Sequence, residues 1–248
     1  MSEQGVNLMK DRVALLTGAG GGIGRAIAVA LAKEGVNLIL FGGNNLEKLE
    51  ETAKLVKEYG VACTVQKGDL TDYNQMQSAF NQVVKTNGKI DILINNAGMA
   101  FNAPIEDTPV EIFDKIMNLN ARVPYLLTRL ALPYLKQSNR ASIINISSVV
   151  AHAGYPDQSA YSASKHALIG FTKALAKEVY KDGIRVHAVS PGGVYTDMIK
   201  IARPDLTSDG MILPEEIADI VIFLLKNRGN AVIDEIIVHR APKEPFLV

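Results

Sequence analysis

The sequence predicts an α/β fold, one doubly wound parallel sheet of about seven strands with helices on both faces. Short apolar runs alternate with segments of helical period from one end of the chain to the other. Most of the runs are near-continuous in Val, Ile and Leu, as strands covered on both faces should be. No linker, repeat or low-complexity stretch divides the chain, so residues 1–248 read as a single domain. The first strand falls at Arg12–Thr17, and Ile23, Ile27 and Leu31 then share a helical face that stops at Gly35. Asn37–Phe41 is the second strand, followed by Leu49, Ala53 and Val56 on a helix ending at Gly60. Ala62–Lys67 is the third, with Met76, Phe80 and Val83 forming a stripe before Gly88. Ile90–Asn95 is the fourth and leads to a long helix near Pro109–Leu135. Ala141–Ser147, a helix over Tyr161–Val179, Arg185–Val189, a helix over Pro214–Leu225 and Glu235–His239 complete the series.

Composition narrows the function. Apolar residues make up 48% of the chain and charged residues 21%, the balance of a globular protein. Lys plus Arg equals Asp plus Glu at 26 each, so no bulk positive field is present to hold a nucleic acid. Met1–Arg12 lacks a basic stretch followed by an apolar run, and no apolar segment approaches the ~20 residues that span a bilayer. A cytoplasmic protein without a membrane partner is expected. Cys63 is the single cysteine; it cannot form an internal disulfide, has no metal-ligand spacing around it and reads as filler in a strand. His152, His166, His187 and His239 fit neither H-E-x-x-H nor a G-x-S-x-G partner, so no metal site is expected and they read as surface or packing residues.

Chemistry concentrates between Ser148 and Lys165. Tyr161 follows Ser148 by thirteen residues and precedes Lys165 by four, and it alone among eight tyrosines has a lysine at that spacing. On a helix, positions i and i+4 share a face, which brings the ammonium toward the phenol. At about 4 Å and an effective dielectric of about 20, the charge favours phenolate by roughly 4 kcal/mol, enough to lower a phenol pKa of about 10 by as much as about three pH units. Tyr161 is thus a candidate general acid or base. Ser147 rivals Ser148, and the spacing to Tyr161 selects Ser148.

A second constellation follows the first strand, where Thr17-Gly18-Ala19-Gly20-Gly21-Gly22-Ile23-Gly24 opens an amphipathic helix. Glycine lets the backbone turn sharply and approach a pyrophosphate, which the free N–H groups and the helix dipole receive. The spacing of Gly18, Gly22 and Gly24 is G-x-x-x-G-x-G, not G-x-G-x-x-G. Dinucleotide sites usually place a carboxylate about twenty residues on, to bond the ribose 2′-hydroxyl. That region here reads Leu40-Phe41-Gly42-Gly43-Asn44-Asn45, with neither a carboxylate nor a cation. Gly43 and Asn44 leave space for a 2′-phosphate, so NADP(H) is favoured, with NAD(H) the alternative. Lys48, the nearest cation, is expected to face solvent. Asp69 before Thr71 reads either as a turn residue or as a ligand contact, and Asn95 and Asn96 as loop anchors or as part of a site. Asn120 sits mid-helix, where asparagine is a poor helix former, which suggests a special role.

Together, these elements resemble the short-chain dehydrogenase/reductase family from about Lys10 to His239. The resemblance adds Gly68-Asp69-Leu70, Asn95-Asn96-Ala97-Gly98 and Ser190-Pro191-Gly192-Gly193-Val194-Tyr195-Thr196-Asp197-Met198. It implies a Rossmann-type fold and reversible hydride transfer between NADP or NAD and a small-molecule carbonyl or secondary alcohol. In that case Tyr161 exchanges the proton with the substrate oxygen and Ser148 hydrogen-bonds the same oxygen. Lys165 holds the nicotinamide ribose and tunes Tyr161, while Asn120 holds a water that extends the proton relay. Thr17, Gly18, Gly20, Gly21, Gly22, Ile23 and Gly24 line the cofactor, as do Gly43, Asn44, Asp69 and Leu70 toward the adenosine. Asn96, Ala97 and Gly98 line the adenosine side, and Pro191, Gly192, Val194 and Thr196 the carboxamide. The family also implies a homotetramer or homodimer built on the helices around Asn120 and after Tyr161, the latter presenting Leu168, Phe171, Leu175 and Val179.

The chain departs from the family in three places. Val123 stands where a glycine is common, and Asn230 to His239 replaces the usual T-G-x-x-x-x-V-D-G-G ending with one more similar to enzymes of serine, 3-hydroxy acids and sepiapterin. The segment between Met198 and Pro214 is short, which implies a small, open or partner-completed substrate pocket. A dinucleotide-binding regulator without turnover and an isomerase or dehydratase on the same scaffold are the rival readings.

Overall fold

The computed structural model describes residues 7–43, 45–197, 199 and 207–244. Its sheet has seven parallel strands: β1 (Val13–Thr17), β2 (Asn37–Phe41), β3 (Cys63–Gln66), β4 (Ile92–Asn95), β5 (Ser142–Ile146), β6 (Arg185–Pro191) and β7 (Glu235–Val238). The order across it is β3-β2-β1-β4-β5-β6-β7. Each predicted strand is present within a residue or two. β6 runs two residues longer than expected because Ser190 and Pro191 register with Ile237 and Val238 of β7.

Two buried clusters cover the two faces. Leu16, Leu40, Ile94 and Ile144 meet α1 (Gly22–Lys33), α2 (Leu46–Lys57) and α7 (Pro214–Lys226) through Ile27, Leu31, Val56, Val221 and Leu224. Their chain neighbours Leu15, Ile39, Leu93 and Ile143 point the other way, to Phe80 of α3 (Tyr73–Asn87), Leu127 of α5 (Val123–Leu135) and Leu175 of α6 (Ser159–Val179). The two-residue alternation of a strand thus builds both cores at once. Leu168, Leu175 and Val179 are buried, and Leu175 and Val179 belong to the second cluster, so this part of the stripe packs inside the subunit and not at its surface.

The long helix expected over Pro109–Leu135 is broken. It divides into α4 (Val110–Met117), a wide turn over Asn118–Arg122 and α5. In the wide turn the Val123 N–H bonds the Asn118 carbonyl, one residue further back than an α-helix allows. Pro124 supplies the cause, since it has no N–H to give Asn120 and its ring crowds that carbonyl. Val123 packs in the core. No helix among the described residues is long and apolar enough to cross a membrane.

Candidate active site

The strand order reverses between β1 and β4, and the crevice above their carboxyl ends is where a doubly wound sheet binds ligands. Thr17 closes β1, and its Oγ1 accepts from the backbone N–H groups of Asn96 and Ala97, each at 3.0 Å. Asn96 returns two bonds, from Nδ2 to the carbonyls of Thr17 (3.0 Å) and Gly18 (3.1 Å). The glycine turn is thereby stitched to the segment after β4. Gly18 turns with φ +70°, where a Cβ would stand 2.8 Å from the Ala97 Cα, and a Cβ on Gly24 would collide with the Gly18 carbonyl. No side chain caps the first N–H groups of α1. They open onto a cleft of about 870 Å³, walled by Gly18, Gly20, Gly21, Gly22, Ile23 and Gly24. An uncapped helix terminus over such a turn fits a dinucleotide pyrophosphate.

The same cleft holds Asn96, Ala97 and Gly98, then Ser148, Tyr161 and Lys165, then Pro191, Gly192, Val194 and Thr196. Ser148 stands at the start of a single tight turn, Val149–Ala151, after β5, and its Oγ accepts from the Val150 N–H at 3.4 Å. Tyr161 and Lys165 occupy the first two turns of α6. Ser147 also borders the cleft, but its hydroxyl is buried with no partner among the described residues.

One electrostatic expectation is reversed. Burial pushes the Tyr161 phenol up, not down, and the neighbouring Ser148 hydroxyl, a hydrogen-bond donor toward it, offsets this only in part. Lys165, 4% exposed, donates to the Ile146 carbonyl at 3.0 Å. Its ammonium stands 5.8 Å from the centre of the Tyr161 ring. Burial likewise lowers the Lys165 pKa to about 8.

Asn120 lies behind the cleft wall. Its amide pairs with Met99 both ways, Oδ1 accepting from the N–H at 2.9 Å and Nδ2 donating to the carbonyl at 2.8 Å. Nδ2 also donates to the Ser164 hydroxyl at 3.0 Å, which in turn donates to the Tyr161 carbonyl at 2.7 Å. Gly98 leaves the space between, for a Cβ there would meet Asn120 Oδ1 at 3.2 Å and Lys165 Nζ at 3.7 Å. The wide turn thus sets an asparagine directly against the Tyr161–Lys165 segment.

Other predicted residues are not brought into the lining. Thr17 has its hydroxyl committed behind the turn, and Gly43, Asp69 and Leu70 stand outside the cleft wall. Asp69 Oδ1 accepts from the Thr71 N–H (2.8 Å) and hydroxyl (2.7 Å), the turn-forming geometry. Leu70 packs over Gly42. Asn44 and Met198 lie outside the described residues, as do residues 200–206 of the short segment before α7.

Lys48, expected to face solvent, instead borders the cleft. Asn45 caps α2 by accepting from the Lys48 N–H at 3.1 Å, which lays the first turn of that helix across Gly20. The Lys48 ammonium then stands 3.8 Å from the Asp197 carboxylate. Sequence reasoning also missed Met99, Tyr155, Gln158, Met211, Arg240 and Lys243 in the lining. These come from loops and from the segment after β7, where no motif marks them. His187 is a packing residue, as expected, but His239 borders the cleft. His152 joins a polar cluster, with Nε2 2.8 Å from Glu235 Oε1 and 3.2 Å from the Ser190 hydroxyl. That cluster ties the turn after Ser148 to the ends of β6 and β7.

Comparison with known proteins agrees with this geometry. Residues 12–207 match the short chain dehydrogenase family model. The chain is 33% identical over 239 residues to the 3-oxoacyl-(acyl-carrier-protein) reductase FabG of Thermotoga maritima, covering 92% of this chain and 96% of that one. It superposes with a TM-score of 0.86 and 26% identity on an alcohol dehydrogenase from the archaeon Thermococcus sibiricus complexed with 5-hydroxy-NADP, over 95% and 99% of the two chains. Carveol dehydrogenase from Mycobacterium avium in complex with NAD gives a TM-score of 0.83 at 26% identity, over 92% and 95%. The chain belongs to the short-chain dehydrogenase family and is an oxidoreductase.

Proposed function

We propose that the chain is one cofactor-binding and catalytic unit that reversibly reduces a small-molecule carbonyl to a secondary alcohol. The observation that carries this reading is the meeting, in one cleft, of the Ser148 and Tyr161 hydroxyls with the uncapped N-terminus of α1. A nicotinamide dinucleotide, when bound, supplies or receives the hydride. The protein handles the proton. In reduction, Tyr161 gives its hydroxyl proton to the carbonyl oxygen while Ser148 hydrogen-bonds the same oxygen as charge develops there. A phenol raised by burial remains protonated at neutral pH, which suits the reductive direction. Alcohol oxidation requires the ionised phenol, so its rate climbs as pH rises. Lys165 positions the cofactor ribose and presents its charge to the phenol, and Asn120 fixes α6 against Met99.

NADP(H) is the preferred cofactor, with NAD(H) the alternative. The second strand ends on glycines without a carboxylate, and Lys48 stands against Gly20 within reach of an added phosphate. The known structures with NADP- and NAD-type ligands support either form. The functional unit is a homotetramer or homodimer. Val110, Phe113 and Tyr125 are exposed on α4 and α5, the elements around the wide turn, and light scattering at micromolar concentration is expected to return a multiple of the chain mass; a monomer sinks this part.

Paired titration with NADPH and NADH, followed by a carbonyl panel, tests the activity. Replacing Tyr161 with Phe should reduce turnover by about a thousandfold and leave cofactor affinity intact. Cofactor binding without turnover of any carbonyl by the natural sequence would favour the regulator instead.

A further inference from the structure

The charged side chains around the cleft are mostly accounted for. Lys48 faces Asp197, and Lys165 is bonded to a carbonyl. Lys243 and Glu244, adjacent and opposite in sign, are exposed at the rim, where solvent screens them. Arg240 is different. It is partly buried, its Nη1 meets the Met211 thioether at 3.0 Å, and no carboxylate pairs with it among the described residues. A thioether is a weak acceptor for a group with five donors, so this guanidinium keeps donors free for a ligand that enters the cleft.

Its position is fixed by the fold. A Cβ on Gly193 would lie 3.5 Å from Arg240 Cδ and 3.7 Å from Nε, so the side chain rests on the loop after β6. The Gly192 N–H bonds the Val238 carbonyl at 2.8 Å and anchors that loop to the end of β7. The glycine turn follows β1, and β4 and β5 separate β1 from β6. Three strand spacings make that roughly 14 Å. Ser148 follows β5, between the two. Ser148 therefore lies between the phosphate-binding turn and the loop on which Arg240 rests.

We propose that the substrate is an oxo acid or hydroxy acid, and that Arg240 receives its carboxylate. This rests on the carbonyl-reductase reading and names the substrate class of the same cleft. The planar fork of Arg240 matches a carboxylate in two parallel hydrogen bonds and orients the carbonyl toward Tyr161 and Ser148. Met99, Val150 and Met211 line the space for a short apolar chain between the two ends.

The test uses matched short 3-oxo compounds, the free acid, its methyl ester and its primary amide, with NADPH and with NADH. The acid is expected to exceed both neutral forms in kcat/KM by about 10- to 100-fold. Arg240→Met should bring that ratio close to one, and Arg240→Lys, which keeps the charge but not the fork, should keep only part of it. Because each variant is its own control, loss of folded enzyme leaves the ratio untouched. Turnover of ester and amide as fast as the acid, or a ratio that Arg240→Met leaves unchanged, overturns the proposal while leaving hydride transfer standing. Weaker NADPH binding by Arg240→Met with an unchanged ratio also overturns it and assigns the arginine to the cofactor. Failure of every member with both cofactors, beside turnover of another carbonyl, overturns this proposal alone, whereas failure of the whole carbonyl panel overturns the carbonyl-reductase reading with it.

Discussion

Lys165 keeps a buried ammonium bonded to the Ile146 carbonyl, and burial makes its charge costly. Its pKa falls from 10.5 to about 8, so between those values the unfolded chain holds a proton that the folded chain has released. Stability therefore rises with pH through that window, and below about pH 8 the buried charge costs roughly 3 kcal/mol at ~1.4 kcal/mol per pH unit. Lys165→Met removes the charge and about 1 kcal/mol of hydrogen bonding. The variant should melt roughly 5 °C above the natural sequence at pH 7, with the difference closing toward pH 10, while turnover falls by at least about a hundredfold. An equal or lower melting temperature at pH 7 rules this out. The residues themselves were legible in the sequence, because Ser148, Tyr161 and Lys165 are fixed by spacing along one turn and one helix. The direction of ionisation was not, since it depends on burial, which only the assembled fold sets. Arg240 was invisible for a similar reason: only the loop at Gly193 brings it to the cleft.

Among the elements, β1, β2, β4, β5 and β6 were legible because each is buried almost throughout and leaves a mainly apolar run, whereas the edge strands β3 and β7 are only partly covered and were marked by their place in the alternation. The wide turn over Asn118–Arg122 was not, because one extra residue in a turn barely alters the spacing of apolar positions. Pro124 was the available signal. The turn matters because it presents the Asn120 amide to Met99 and Ser164 at once. Pro124→Ala restores the missing N–H and allows a regular helix through Asn120, which rotates the amide away from both partners. Helix propensity improves at that position, by as much as about 3 kcal/mol, so the melting temperature should hold or rise. Turnover should drop by about tenfold or more, as expected for a misplaced supporting group. Unchanged turnover in this variant means that the turn serves packing alone.

Across the whole molecule, the two edges of the sheet are specialised. The carboxyl edge carries glycines, loops and the uncapped N-terminus of α1, whereas the amino edge is closed by a dense set of side-chain bonds. Asp91 is its centre: Oδ2 accepts from the Val13 N–H at 2.9 Å, Oδ1 accepts from the Ser138 hydroxyl at 2.6 Å, and Lys89 stands 3.3 Å away. Beside it Arg12, 6% exposed, donates to the carbonyls of Arg140 (2.5 Å) and Asp91 (3.4 Å). Burial lowers the Arg12 pKa to about 10, and Asp91 is the charge that opposes the fall. Arg228 adds bonds to the Ala141 carbonyl and the Ser142 hydroxyl, so the starts of β1, β4 and β5 are held as one unit. Asp91→Ala leaves Arg12 a buried cation without its counter-charge and strands the Val13 N–H, a loss of about 3–5 kcal/mol. For a chain of this size the melting temperature should fall by roughly 10 °C. Since the cleft lies at the opposite edge, kcat/KM per folded molecule should stay within about twofold, as separated sites act independently. Calorimetry and assay of the same preparation decide it: a melting temperature within a degree or two of the natural protein, or a loss of kcat/KM in molecules that remain folded, shows that the two edges are not divided in this way.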